Sequence, residues 1–169
     1  MVSYGFAKAA HEMLIRPLIA SDLSACARLL RASASEFIVH ESNPEGACTF
    51  LRENDEDGIR GYLAAGHVYH VAVAAHGDEA GDIAGFIAIR DNSHVFHLFI
   101  DKRWHRQGLA RRRWEAARDA AVQRGAAGSF TVNSSNHAVP VYEAFGFERT
   151  APTQCVKGLY FNPMRYLPA

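Results

Sequence analysis

Asp101-Lys102-Arg103-Trp104-His105-Arg106-Gln107-Gly108-Leu109-Ala110-Arg111 is the stretch on which the reading of this chain turns. An apolar run, Val95-Phe96-His97-Leu98-Phe99-Ile100, leads into it, and an Arg/Ala/Glu-rich segment follows. The order predicts a strand, a tight glycine-bearing turn, and a long helix over about 107–124 closed by Gly125. Such a turn directs successive backbone N–H groups outward at the positive end of the helix dipole, a ready site for phosphate. Gly108 lets a ligand approach the backbone closely, and Ala110 keeps the rim low.

Upstream, the pattern predicts a first strand at Met13–Leu18, ended by Pro17, which cannot donate to a ladder. Ser21 or Asp22 can cap a helix whose apolar positions Leu23, Ala27, Leu30 and Ala34 recur at helical spacing. Asn43-Pro44-Glu45 opens a second helical region, broken near Asn54-Asp55 and stopped at Gly66. The period then changes to that of strands: 67–74, 83–90 and 94–100 are joined by short turns and read as an antiparallel meander. Downstream of the long helix, Ser129–Asn133 reads as a strand. A short helix follows, carrying Val139, Tyr142 and Phe145, with Pro140 tolerable only in its first turn, so that it starts near Asn136 or His137. Gly146 ends it, Phe147–Arg149 resumes as strand, and Val156–Tyr166 supplies a last strand or hairpin.

Composition narrows the classes. A chain of 169 residues predicts one domain, here residues 13–169 behind an N-terminal extension at 1–12 that lacks the apolar core of a secretory signal. Acidic and basic residues balance at 18 each, which removes the global field expected for nucleic-acid or anionic-membrane binding. Three widely spaced cysteines, Cys26, Cys48 and Cys155, carry no metal or redox spacing, so reduced thiols and a cytoplasmic location are expected. No metal is expected either: His94 and His97, like His67 and His70, fall on strands, where alternation predicts opposite faces. Neither a Walker A motif nor a G-x-S-x-G elbow is present.

Two motifs and the element order carry a resemblance. His105-x-x-Gly108-x-Ala110 resembles the pyrophosphate loop of the GNAT N-acetyltransferases, usually Arg/Gln-x-x-Gly-x-Gly/Ala, with His105 in place of the usual Arg or Gln. Ala138, Tyr142 and Gly146-Phe147 are similar to that family's Asn-x-x-Ala-x-x-x-Tyr-x-x-x-Gly-Phe, with Ser135 at the Asn position. The resemblance implies an α/β fold of the α+β kind. Its sheet is mixed and mostly antiparallel, of six to seven strands flanked by about four helices, and it is splayed where the cofactor's arm enters.

It further implies an acetyl-CoA-dependent N-acetyltransferase that moves an acetyl group to an amine of a small molecule or peptide by direct attack in a ternary complex. Leu98, Phe99 and Ile100 would hold the pantetheine arm, and His105, Arg106, Gln107, Gly108, Leu109, Ala110 and Arg111 the pyrophosphate. Arg111 or Arg112 would meet a 3′-phosphate, and Asn133, Ser135 or Asn136 would take over the Asn role. Tyr142 would protonate the leaving thiolate and His94 would accept the amine's proton. Backbone N–H groups near Phe99 or Ile100 would face the oxyanion. A homodimer through sheet edges or C-terminal strands is in keeping with the family. The competing readings are a non-catalytic acyl-CoA sensor of the same fold and, from the arginines at 103–113, a nucleic-acid binder.

Overall fold

The computed structural model describes residues 12–76 and 81–168. The extension, apart from Glu12, and the tip of the 76–82 turn therefore lie outside the described residues. The chain runs β1 (Met13–Pro17), α1 (Leu23–Phe37), α2 (Pro44–Glu53), α3 (Glu56–Ala64), β2 (Val68–Ala74), β3 (Ile83–Arg90) and β4 (His94–Ile100). Then come α4 (Leu109–Gln123), β5 (Phe130–Ser134), α5 (Val139–Ala144), β6 (Phe147–Arg149), β7 (Gln154–Val156) and β8 (Leu159–Tyr166). The sheet order is β1-β2-β3-β4-β5-β8-β6, with β7 hairpinned onto β8. All pairs are antiparallel except β4 with β5.

Local chemistry accounts for the element boundaries. Asn43 caps α2 through Gly46 N–H at 2.7 Å, and Asp55 caps α3 through Gly58 N–H at 2.9 Å, each satisfying a donor the helix cannot. Asp22 departs from the expected cap. Its carboxylate accepts from both terminal guanidinium nitrogens of Arg16, at 2.6 and 2.9 Å, and from Ile19 N–H at 2.9 Å. A forked, charge-assisted pair outcompetes a cap, and it holds the Asp22 carboxyl below its usual range. The short helix α5 begins later than expected, at Val139, because Ser135 Oγ first closes a turn on Ala138 N–H at 3.2 Å.

Helices cover both faces of the sheet. On one, Leu23, Cys26, Leu30 and Ala34 of α1 and Ile59 of α3 bury against Tyr69, Val71 and Phe86. On the other, Trp114, Ala117 and Ala121 of α4 meet Ile87, Ile89, Phe130 and Phe147, with Trp114 edge-on to Phe130 at 5.1 Å. Each such large apolar side chain contributes roughly 1.5–3 kcal/mol on burial. The Cys26 thiol, buried here, is pushed up to about 12, while Cys48 and Cys155 are exposed free thiols. Among the described residues no helix is long and apolar enough to cross a membrane.

The parallel seam is short. β4 and β5 pair only at His94↔Thr131 and Val95↔Val132, after which the strands part. A bulge at the same place changes the phase of β4. Val95 pairs with Ile89 and His97 with the adjacent Ala88, which leaves Phe96 as the extra residue. His94 and His97 oppose Arg90 and Ala88, two apart on β3, so the two histidines share a face rather than taking opposite ones.

Candidate active site

The gap between the parting strands opens into a cleft of about 750 Å³ reaching from the N-terminus of α4 to the α2–α3 junction. Ladder phase determines what β4 offers it. Asp101 N–H donates to Ala84 O, so hydrogen bonding to β3 falls on residues 99 and 97, and Leu98 and Ile100 turn their backbone groups to the gap. The Phe99 amide, expected to face the oxyanion, is thus committed to the sheet, and Phe99 borders the cleft with its side chain. His105 Nε2–H donates to Ile100 O at 2.8 Å, which closes the strand's outer end and leaves Leu98 N–H, Leu98 C=O and Ile100 N–H open.

At the α4 end the backbone forms a shallow cradle of N–H groups. Arg106 and Gly108 both have positive φ, 60° and 73°, and left-handed residues in such a turn bring nearby N–H groups toward one side. Gly108 is the N-cap of α4, and a Cβ built there would meet nothing within 4 Å, so the space above it is open. The loop is anchored from behind. Arg103 binds Asp101 at 2.9 Å and Asp82 at 2.9 Å, Trp104 is buried under Leu109, and Gln107 Nε2 donates to Arg103 O at 3.2 Å.

The arginine run after Gly108 divides three ways. Arg111 leans across the cleft mouth, donating to Ala144 O and lying 5.3 Å over the Phe145 ring. Arg112 is exposed. Arg113 is turned inward at 1% exposure, its guanidinium without a hydrogen-bond partner among the described residues and lowered to about 10 by burial and Arg112.

Tyr142 borders the cleft opposite β4, 6% exposed and packed on Phe145 and Phe147. Burial raises its phenol well above the usual tyrosine range, so it keeps its proton at neutral pH. Asn133 and Ser135 border the same cleft, while Asn136 is drawn into bonds with Glu41 at 2.7 Å and Asn162 at 2.9 Å.

Of the site residues expected from the sequence, all but His94, Gln107 and the alternatives Arg112 and Asn136 border this cleft. His94 sits at the pinched end of the seam, its Nδ1 2.7 Å from Thr131 Oγ1, and burial with Arg90 lowers it to about 4. The bulge brings His97 to the cleft instead. Its Nδ1 lies 3.0 Å from the Tyr69 hydroxyl, and burial pushes it down to about 3. Tyr69 is 2% exposed and its O–H has no other partner among the described residues, so the hydroxyl donates to Nδ1 and the ring proton resides on Nε2. Sequence reasoning set His97 on the face opposite His94, and it missed Glu53, Asn54, Tyr62 and Phe96 as cleft residues. Only the apolar spacing of α2 and α3 hinted at them, and it reads equally as core.

The parallel seam thus parts into a cleft that ends at the turn of backbone N–H groups opening α4. Residues 38–168 match the family model described as "Acetyltransferase (GNAT) domain", and the chain belongs to that family. Among curated protein sequences none matches the chain. Solved structures share the fold. A GCN5-related N-acetyltransferase (aminotransferase, class-II) from Rhodopseudomonas palustris is 20% identical, with a TM-score of 0.75 over 91% of this chain and 94% of that one. The PaiA N-acetyltransferase from Thermoplasma acidophilum, in complex with coenzyme A, is 16% identical, with a TM-score of 0.72 over 92% and 98%. An aminoglycoside 6'-N-acetyltransferase complexed with coenzyme A is 11% identical, with a TM-score of 0.66 over 93% and 99%.

Proposed function

We propose that this protein transfers the acetyl group of acetyl-CoA to an amine by direct attack within a ternary complex. The observation that carries the reading is the meeting of the β4–β5 gap with the N–H cradle at 106–111 in one cleft. The pantetheine arm lies against Leu98 and Ile100 as an added strand, and the pyrophosphate rests on the α4 amides with Arg106 and Arg111 at its sides. Two relatives of the same fold, each complexed with coenzyme A, support an acyl-CoA as the donor.

The amine enters as an ammonium and loses one proton to water before it can attack. Its nitrogen then bonds to the thioester carbon, and the carbonyl oxygen gathers charge against Leu98 or Ile100 N–H and His97 Nε2–H. As the C–S bond breaks, the sulfur takes a proton from Tyr142, the nitrogen releases its second proton, and Tyr142 is reprotonated from solvent. The products are an amide, CoA thiol and one proton. His97, neutral and lowered to about 3, suits donation and not proton capture from an amine of pKa about 10.

The test pairs calorimetric titration of acetyl-CoA with thiol release in the presence of amines. Binding with turnover is expected. Binding without turnover across a broad amine panel would favour an acyl-CoA sensor, and no binding would refute the site.

A further inference from the structure

The half of the cleft remote from α4 has its own chemistry. Glu53, at the end of α2, is the one carboxylate among the described residues bordering the cleft. Beside it, Asn54 is 5% exposed and borders the same space. Its Nδ2 is committed to Phe50 O at 2.8 Å, and its Oδ1 is buried without a partner. Gly58 makes this corner possible, since a Cβ there would fall 2.0 Å from Glu53 O.

Tyr62 links the corner to the strand. Its ring meets Phe96 edge-on at 4.7 Å and His97 at 5.9 Å, and its phenol is raised by burial and then by the charge of Glu53. The carboxylate and the orphan amide oxygen therefore lie near the bulge where β4 leaves β5. The walls are aromatic: Phe50, Tyr62, Phe96, Phe99, Tyr160 and Phe161. The cleft's arginines, Arg106 and Arg111, lie at the opposite end.

Resting on the acetyltransferase reading, we propose that the acceptor is a primary monoamine on an aromatic body, an arylalkylamine in chemical class. Its ammonium is drawn to Glu53, to Asn54 Oδ1 and to the aromatic faces. Its ring fills the aromatic pocket, where it needs no hydrogen bonds. A polyamine or aminoglycoside would bring several charges to a single carboxylate. A peptide would bury amides against walls that offer few polar partners.

The full chain is titrated with 2-phenylethylamine, spermidine and a serine-initiated hexapeptide by calorimetry, with and without CoA, and thiol release from acetyl-CoA is followed with each. The aryl amine is expected to bind, and to exceed the others at least tenfold in kcat/KM. Glu53→Gln should weaken its binding about tenfold while acetyl-CoA affinity stays unchanged. 2-Phenylethanol, which keeps the ring and lacks the charge, should bind wild type and E53Q alike. Preference for spermidine or the peptide, or an aryl amine indifferent to E53Q, would overturn the proposal. Failure of acetyl-CoA to bind would instead refute the donor site, and the CoA-free titrations would still decide this one.

Discussion

Replacing Gly108 by aspartate, with asparagine as its neutral twin, separates charge from shape at the cradle. At φ 73° Gly108 occupies the left-handed region, which Asn and Asp enter more readily than other residues. Both variants should lose about 1 kcal/mol of stability, roughly 2–4 °C in Tm for a chain of this size. Beyond its immediate chain neighbours no atom lies within 4 Å of the new Cβ, so the change projects into open space. The aspartate then stands beside a pyrophosphate. One charge pair about 8 Å apart at an effective dielectric near 20 costs about 2 kcal/mol, and two phosphate charges about 4 before screening. Salt at 0.15 M has a Debye length of about 8 Å and trims this toward 1.5 kcal/mol. Isothermal titration with acetyl-CoA should therefore show G108D binding about ten- to a thousandfold more weakly than G108N, with the gap narrowing as salt rises. Equal affinities for the two variants would refute the placement of phosphate over Gly108.

Tyr142→Phe should lower kcat by about tenfold or more while changing the acetyl-CoA dissociation constant little, because the hydroxyl acts on the leaving sulfur and the ring remains packed; steady-state kinetics beside calorimetry will tell. His94→Ala should leave turnover near wild type and cost no more than about 1 kcal/mol of stability, since its bond to Thr131 lies at the pinched end of the seam. His97, held neutral at about 3 against about 6.5 when unfolded, contributes stability that is full above pH 6.5 and declines as pH falls toward 3. His97→Asn should flatten that part of a pH-dependent denaturation curve. Gly58→Ala would force Glu53 O away from the new methyl group, and amine KM should rise more than acetyl-CoA affinity falls, as measured by thiol release.

The α4 end of the cleft was legible because its geometry is local. A glycine at φ 73° opening a helix, and Tyr142 four residues beyond Ala138 on a short helix, depend on neighbours within one turn. What escaped was set at a distance. Asp22 reads as a cap until Arg16, six residues away on another element, claims its carboxylate. The separation of His94 from His97 onto opposite faces rested on alternation with period two, which the bulge at Phe96 interrupts, and nothing in Val95-Phe96-His97 marks a bulge. Glu53, Asn54 and Tyr62 read as the ordinary ends of helices. They face the cleft because Gly58 lets α3 crowd the last carbonyl of α2. The inward turn of Arg113 has no signature in a run of three arginines, and nothing in the structure explains it.

The single extra residue at Phe96 works as a phase shifter. Below it, Ser93 and Val95 spend their backbone groups on β5; above it, that duty passes from odd to even positions, to Leu98 and Ile100. One strand thereby turns its backbone groups first to a neighbour and then to an open gap, without changing direction. Taking Phe96 into the ladder, with no bulge, would keep β4 in a single rhythm and bring Phe99 rather than Leu98 to the gap, leaving a more regular sheet without the edge that Leu98 and Ile100 now form.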